Sequence, residues 1–312
     1  MKFSVVIPLY NKANYIENTI RSVLDQTCDD YELIVVDDGS SDNSLELARK
    51  YESDRVRVIA QANQGVSVAR NTGIENARGT FIAFLDADDQ WEPRYLQNIH
   101  ALTEQYPESA IFVTAYAVDM GNGKIHYSTR LEPQTGCLPS YWLTLAKGYD
   151  FVWTSATVIR RDALIEAGLF KPGEKIGQDL DMWARVARIN PRVAYSNRIG
   201  VRYNRAAEAN ARTRVRVAWA GAFIRDLEEE LVNPQRTAEE KASIQHKYDK
   251  KMTVFIFTAI LAGEKDRAKK ALKDWKGERN TTNRLLRTGL RIAMLMPAWV
   301  NRFVFGIRMK VF

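Results

Sequence analysis

Residues 81–89 read Phe81-Ile82-Ala83-Phe84-Leu85-Asp86-Ala87-Asp88-Asp89, the most apolar run of the chain closed at once by three carboxylates. A run this short and this apolar is expected to be a strand buried on both faces, as in a parallel sheet covered by helices. Ligands of open parallel sheets lie at the carboxyl ends of the strands, so the acids that follow are the first candidates for chemistry. Like charges this close raise one another's pKa, and the cluster is costly unless a cation resides there. Hard oxygen ligands favour Mg²⁺ or Mn²⁺, which bridge one or two carboxylates to substrate phosphates. The competing reading is a solvated acidic turn capping a helix at Pro93.

On either side the same alternation continues. Phe3 to Ile7, Glu32 to Val36, Val56 to Ile59, Thr80 to Leu85 and Ala110 to Thr114 are short runs rich in Val, Ile and Phe. Between the first two, Ile16, Ile20, Val23 and Leu24 recur at the spacing of one helix face. Repeated strand–helix–strand units predict an α/β fold, a mostly parallel sheet with helices on both faces. Gly121-Asn122-Gly123 reads as a turn that adds an antiparallel strand. From about Thr213 strand signals vanish and helical pattern dominates, with breaks expected at Gly263, Gly277 and Pro297.

A second acidic strand end is Ile34-Val35-Val36-Asp37-Asp38-Gly39-Ser40. Its carboxylates suit hydrogen bonds from a nucleobase or ribose; equally, Asp38, Ser40 or Ser41 would serve as N-cap of a helix near Leu45. Trp91 and Trp183 are candidate stacking platforms for a sugar, although aromatics at helix spacing more often belong to the core. His100, His126 and His246 fall in no motif. A Rossmann glycine fingerprint, a P-loop, HExxH and Gly-x-Ser-x-Gly are all missing, which speaks against dehydrogenase, NTPase, zinc-protease and esterase chemistry.

Taken in order, these segments resemble the family 2 glycosyltransferases. The likeness runs through Ser4-Val5-Val6-Ile7-Pro8-Leu9-Tyr10-Asn11, Asp37-Asp38-Gly39-Ser40-Ser41-Asp42 and Asn63-Gln64-Gly65-Val66-Ser67-Val68-Ala69-Arg70-Asn71. It continues through Asp86-Ala87-Asp88-Asp89 to Gln178-Asp179-Leu180-Asp181-Met182-Trp183, covering roughly residues 3 to 205. The resemblance implies a GT-A fold and an inverting transfer of sugar from a nucleotide-diphosphate sugar, a UDP-sugar by preference, to a hydroxyl acceptor. It implies that Pro8, Tyr10, Asp37, Asp38, Gly65, Arg70 and Asn71 bind the donor. Asp86 and Asp88 would form the DxD motif, with Asp88 as direct ligand of Mn²⁺ or Mg²⁺ and Asp86 reaching ribose or metal-bound water. Asp179 matches the catalytic base, and the N-cap of a helix is its second reading.

Two departures stand out. Gln178 occupies a place where the family often has Glu, and Val201-Arg202-Tyr203-Asn204-Arg205 lacks the His that many members carry. Arg202 or Arg205 would then hold the diphosphate by charge-assisted hydrogen bonds. These departures keep open a nucleotide-sugar-binding protein without catalysis. A sugar nucleotidyltransferase is a further alternative, although no Gly-rich, Arg/Lys-bearing loop stands near the N-terminus.

Charge separates the chain in two. Residues 1–205 hold 23 basic against 26 acidic residues, while residues 206–312 hold 22 against 12, so the whole net charge of +7 arises behind the expected catalytic region. The expected division is therefore a catalytic domain, 1–205, and a basic helical region, 206–312. Residues 279–312 carry seven basic residues and no acid, with Arg284, Arg287 and Arg291 on one helical stripe and Trp299, Phe303 and Phe305 beyond Pro297. Such a segment suits a membrane interface, and its apolar stretches, Val254 to Ala262 and Ile292 to Met296, are too short to span a bilayer. An ordinary helix with solvated charges is the competing reading. No RNA- or DNA-binding signature accompanies the basic residues, so nucleic acid is not an expected partner. Two cysteines, Cys28 and Cys137, and no cleavable leader pattern place the chain in a reducing compartment, the cytoplasm, at the inner face of the cell membrane. A glycan or lipid-linked acceptor in envelope polysaccharide synthesis fits that place.

Overall fold

The structure, a computed structural model, describes residues 1–119, 125–128, 131–146, 151–174, 176–204, 221–276 and 281–295. The chain divides into two compact units, Met1–Glu208 and Ala209–Phe312.

In the first unit the expected strands form. They are β1 (Phe3–Leu9), β2 (Tyr31–Asp37), β3 (Val56–Ala60), β4 (Phe81–Phe84) and, after the two-residue β5 (Gln90–Trp91), β6 (Ile111–Asp119). Every residue of β1, β2 and β4 is buried, which is why these runs show no polar alternation, whereas edge strand β3 is half covered. Helices α1 (Ile16–Leu24), α2 (Ser44–Arg49), α3 (Val66–Glu75) and α4 (Tyr95–Gln105) connect them. On α1, Ile16, Ile20 and Val23 face the core as their spacing predicts, while Leu24, the last residue, turns outward.

Three further strands complete the sheet: β8 (Thr135–Leu138), β9 (Thr157–Arg160) and β10 (Val193–Asn204), with β7 (Ile125–Tyr127) at the side. The order is β3-β2-β1-β4-β9-β6-β10-β5, with β7 pairing β6 and β8 pairing β10. β3, β2, β1 and β4 run parallel, as do β6 and β10, and β9 lies antiparallel between these two groups. β7 runs antiparallel to β6, so the strand addition expected there is present; the turn residues themselves lie outside the described residues. Between β1 and β4 the connections change direction, which opens a crevice at the carboxyl ends of β1, β2 and β4.

Close approach of α3 to β1 sets one wall of that crevice. A Cβ at Gly73 would stand 2.3 Å from Cγ1 of Val6, so only glycine lets the helix lie this near the strand. At the opposite end of the sheet the buried Glu32 ties three elements together. Its Oε1 accepts from Ser4 Oγ at 2.7 Å and Arg78 N at 2.7 Å, and its Oε2 accepts from Arg57 Nη2 at 2.8 Å. Burial works against the charged form, but these donors outweigh it and hold the carboxyl below its ordinary range.

After β9 come α5 (Arg161–Glu166) and α6 (Gln178–Ile189). The second unit is helical: α7 (Gly221–Val232), α8 (Ala238–Ala262), α9 (Lys265–Asp274) and α10 (Thr281–Leu295), with the other three packed on α8. A capping box starts α8, where Glu240 N donates to Thr237 Oγ1 and Thr237 N to Glu240 Oε2, and Gly263 ends it at the predicted break. On α10 the expected basic stripe is divided. Arg287 turns inward, its guanidinium 4.6 Å from the Trp275 ring centroid and donating to Trp275 O, while Arg291 is exposed. Leu290 and Ala293 are buried, and Ile292 and Leu295 face outward. The side chain of Arg284, and Gly277, Pro297, Trp299, Phe303 and Phe305, lie outside the described residues.

A carboxyl whose folded pKa is depressed contributes stability above its unfolded value, about 4.3 for Glu, and loses it as pH falls through the folded value. Glu32→Gln should therefore lower stability at pH 7 by about 1–3 kcal/mol. The gap from the parent chain should close as the medium is brought below about pH 4, as thermal melts at both pH values will read.

Candidate active site

The two acidic strand ends meet at the crevice but do different work. At the end of β2, Asp38 is buried and its carboxylate is engaged within the fold. Oδ1 accepts from Gln61 Nε2 at 2.8 Å and Gln64 N at 3.0 Å, and Oδ2 from Gly65 N at 2.7 Å. Gly65, at φ 92°, is the N-cap of α3, so the Asp38 charge stands at the positive end of that helix. Asn43 occupies the N-cap position of helix α2, so neither Asp38 nor Ser40 nor Ser41 starts it. Asp37 accepts from Ser40 N at 3.1 Å, and its Oδ1 is buried with no hydrogen-bond partner. Pro8 pairs with Val36 inside the sheet, and Tyr10, 40% exposed, stands just beyond the end of β1.

The three acids after β4 diverge. Asp89 turns inward and is fully buried, Oδ2 accepting from Ser155 Oγ at 2.5 Å and Oδ1 from Asn204 N at 3.0 Å. Burial pushes its carboxyl well above the ordinary range, with Asp86 and Asp88 adding to the rise. Asp86 remains partly exposed and accepts from Arg70 Nη2 at 2.8 Å. Asp88 pairs with Lys12 Nζ at 2.5 Å. Burial raises the Asp88 carboxyl; Lys12 opposes the rise and Asp86 adds to it. A solvated acidic turn is therefore not what the chain builds, and the helix after Pro93, α4, has Arg94 as its N-cap.

The residues fit a hard divalent cation that shares its coordination with a ligand. Asp86 and Asp88 each engage one oxygen with a cation of the chain, and Asp89 is directed elsewhere, which leaves the two-carboxylate donor set that Mg²⁺ and Mn²⁺ use beside phosphates. Among the described residues no three His, Cys, Asp or Glu side chains form an all-protein cage.

Asp179 arrives from the other half of the unit. It lies in the first turn of α6, whose N-cap is Gly177, so its second reading as N-cap does not hold. Its Oδ2 accepts from Thr154 Oγ1 at 3.0 Å and its Oδ1 from Leu180 N at 2.9 Å. The next residue, Ser155, accepts from Asp86 N at 3.1 Å while donating to Asp89. One short turn, Thr154–Ala156, thus holds the acid loop with one residue and Asp179 with its neighbour. Asp181 points away, buried between Lys171 and Arg185.

Other candidates take structural places. Trp91 is buried, donates from Nε1 to Ser155 O at 2.8 Å and lies 4.2 Å from the Tyr95 ring. Trp183 is wholly buried against Phe84 and Phe170. Neither is a platform open to a sugar. The Asn71 amide is bound on both sides by the Phe170 backbone, and this holds α3 to the segment after α5. Arg202 is exposed and paired with Glu92 at 2.6 Å, and Arg205 lies outside the described residues.

Lys12, Thr154 and Ser155 are the residues that sequence reasoning missed. Lys12 follows an apolar strand as the acids do, so the strand-end rule applied to β1 would have found it. Ser155 and Thr154 carry no local signal, because their partners lie 66 and 25 residues away. Ser155→Ala would leave the buried Asp89 carboxyl short of a donor, an expected loss of about 1–3 kcal/mol by denaturant titration.

Likeness to known proteins gives the family and the fold. The sequence profile of glycosyl transferase family 2 matches residues 4–168. An uncharacterized glycosyltransferase of Nostoc sp. is 39% identical over 171 residues, 53% of this chain and 52% of that protein. The uncharacterized glycosyltransferase EpsJ of Bacillus subtilis is 47% identical over 104 residues, 33% of this chain and 30% of its own. The match thus spans about half or less of these curated relatives. Among solved structures, residues 1-349 of S. aureus TarS in complex with UDP-GlcNAc superpose with TM-score 0.64 at 20% identity, over 83% of this chain and 73% of that one. The mannosyltransferase PcManGT of Pyrobaculum calidifontis, in complex with GDP-Man and Mn²⁺, gives TM-score 0.59 at 16% identity over 96% and 82%. These likenesses establish the GT-A fold, and with the match over more than half of the sequence the chain belongs to glycosyl transferase family 2.

Proposed function

We propose that the protein is an inverting glycosyltransferase that moves a sugar from a nucleotide-diphosphate sugar, a UDP-sugar by preference, to a hydroxyl of a glycan or lipid-linked acceptor in cell-envelope polysaccharide synthesis. The observation that supports this best is the Thr154–Ala156 turn, whose Ser155 binds the Asp86 backbone N and the Asp89 carboxyl while Thr154 binds Asp179, so that the loop carrying Asp86 and Asp88 and the Asp179 carboxylate are held by one turn at one edge of the crevice. A sugar hydroxyl is a poor nucleophile near neutral pH, and a carboxylate held in place beside it takes its proton as the bond to the anomeric carbon forms. Asp179 fills that role, with Thr154 fixing its orientation. Attack opposite the leaving group inverts the anomeric centre with no covalent sugar–enzyme intermediate. Asp88, with Asp86 beside it, would hold a divalent cation that neutralises the departing diphosphate as a Lewis acid. Arg70 adds a fixed positive charge to the same edge, and Asp38 shapes the β2 and α3 loops against which a nucleoside would rest.

A panel of nucleotide sugars with Mn²⁺ separates this reading from its rivals. Asp88→Ala should abolish metal-dependent donor binding, and Asp179→Asn should keep donor binding while lowering turnover at least about 100-fold, the usual worth of a general base. Donor binding without transfer by the unaltered chain would instead favour a binding protein, and pyrophosphate release a nucleotidyltransferase.

We assign the basic second unit to a peripheral position on the inner face of the cell membrane. Among the described residues no helix is long and apolar enough to cross a bilayer. The outward face of α10 combines Arg291 with Ile292 and Leu295, the last 85% exposed, a mixture suited to an anionic lipid interface. Truncation at residue 278 should move the protein from sedimenting with vesicles of anionic lipid to the supernatant; unchanged sedimentation would place the anchor elsewhere.

A further inference from the structure

Lys12 stands where a metal ion would be expected. Its ammonium lies 2.5 Å from Asp88 Oδ2, and both side chains are largely withdrawn from water, 15% and 11% exposed. Its main chain is fixed. Lys12 N donates to Ser44 Oγ at 2.8 Å, and the preceding Asn11, at φ 51°, is bound through its own N to Ser40 Oγ and through its Oδ1 to Ser41 N. Only the flexible four-carbon stem is left to move the charge. In this same pose Nζ lies 5.7 Å from the centroid of the Tyr15 ring.

We propose that Lys12 is the resident counter-ion of Asp88, which a divalent cation must displace in order to bind, so that the side chain sets how tightly the protein holds metal. The inference rests on the metal-binding role given to Asp88 above. A cation at a carboxylate already neutralised by a sequestered ammonium gains less than one at a bare carboxylate, because the approaching charge must first part the pair or face its repulsion. Lys12 thereby keeps the acid loop assembled without metal and weakens metal retention between turnovers. Once displaced, the ammonium remains beside the loop as a positive charge available to an anionic diphosphate.

The test is a titration of the full chain with Mn²⁺ alone, following free Mn²⁺ by its paramagnetic resonance signal. Lys12→Met should bind Mn²⁺ at least about tenfold more tightly than the parent, about 1.4 kcal/mol, and Lys12→Gln should do the same. Lys12→Arg, which keeps the charge, should stay within about threefold of the parent, since a factor of three is well under 1 kcal/mol. A cooperative thermal melt of each variant identifies the folded ones, and Gln stands in if Met is not folded. Equal or weaker Mn²⁺ binding by the folded neutral variants overturns the proposal. If the parent binds Mn²⁺ with UDP present yet the neutral variants gain nothing, only the role of Lys12 fails. If no form binds Mn²⁺ even with UDP, the metal-binding role of Asp88 fails and this proposal with it.

Discussion

A fully buried carboxyl governs the geometry of the site. Asp89 has no contact with water, and a carboxyl in so poor a dielectric is tolerated only where donors reach it. Ser155 Oγ and Asn204 N reach it from two distant parts of the chain. Thr19 Oγ1 adds bonds to the main-chain oxygens of Ala87 and Asp89 and so binds the loop from the side of α1. These contacts determine where the Thr154–Ala156 turn rests and how the loop after β4 is bent. With that loop fixed, Asp86 and Asp88 have few conformations left.

Charge is balanced locally. Of the three acids after β4, the two that remain at the crevice each face a cation from the chain, Arg70 for Asp86 and Lys12 for Asp88. Arg70 is buried above the Phe170 ring, at 5.4 Å from its centroid, and Phe170 is in turn clamped by Asn71. Arg70 is therefore a rigid partner, held by helix and ring together. Lys12 reaches its partner on a four-carbon stem from a loop whose backbone is pinned to Ser40 and Ser44. The proposed exchange with metal at Asp88 thus involves a counter-ion on a four-carbon stem, whereas the counter-ion of Asp86 is held by helix and ring.

The second unit follows a different economy of interactions. A capping box, a glycine stop and a stacked Arg287–Trp275 pair define its helices. Trp275 also donates to Asp249 Oδ1 at 2.7 Å, so that an aromatic side chain joins α8 to the end of α9 by packing and hydrogen bonding together. Of the described basic side chains of α10, Arg287 serves the fold and Arg291 is exposed.

Local sequence determined the first five main strands, since strands covered by the fold are rich in apolar residues, and it determined which of their ends carry acids, whereas β8, β9 and β10 were not legible in it. The antiparallel β7 and the helix stop at Gly263 were legible for the same reason, since turn and cap chemistry depends on neighbours in the chain. The order of sequence blocks was enough to place the chain in its family. What only the tertiary structure decided is the division of labour among like residues. Asp89 is turned inward while Asp86 and Asp88 stay at the crevice; Asp38 is enclosed by Gln61, Gln64 and Gly65; Trp91 and Trp183 are core and Asn71 is a clamp. The physical reason is that these roles depend on hydrogen-bond and ion partners far away in sequence, 115 residues in the case of Asp89 and Asn204 and 76 in that of Lys12 and Asp88. No local pattern encodes which of several identical side chains such a partner will meet.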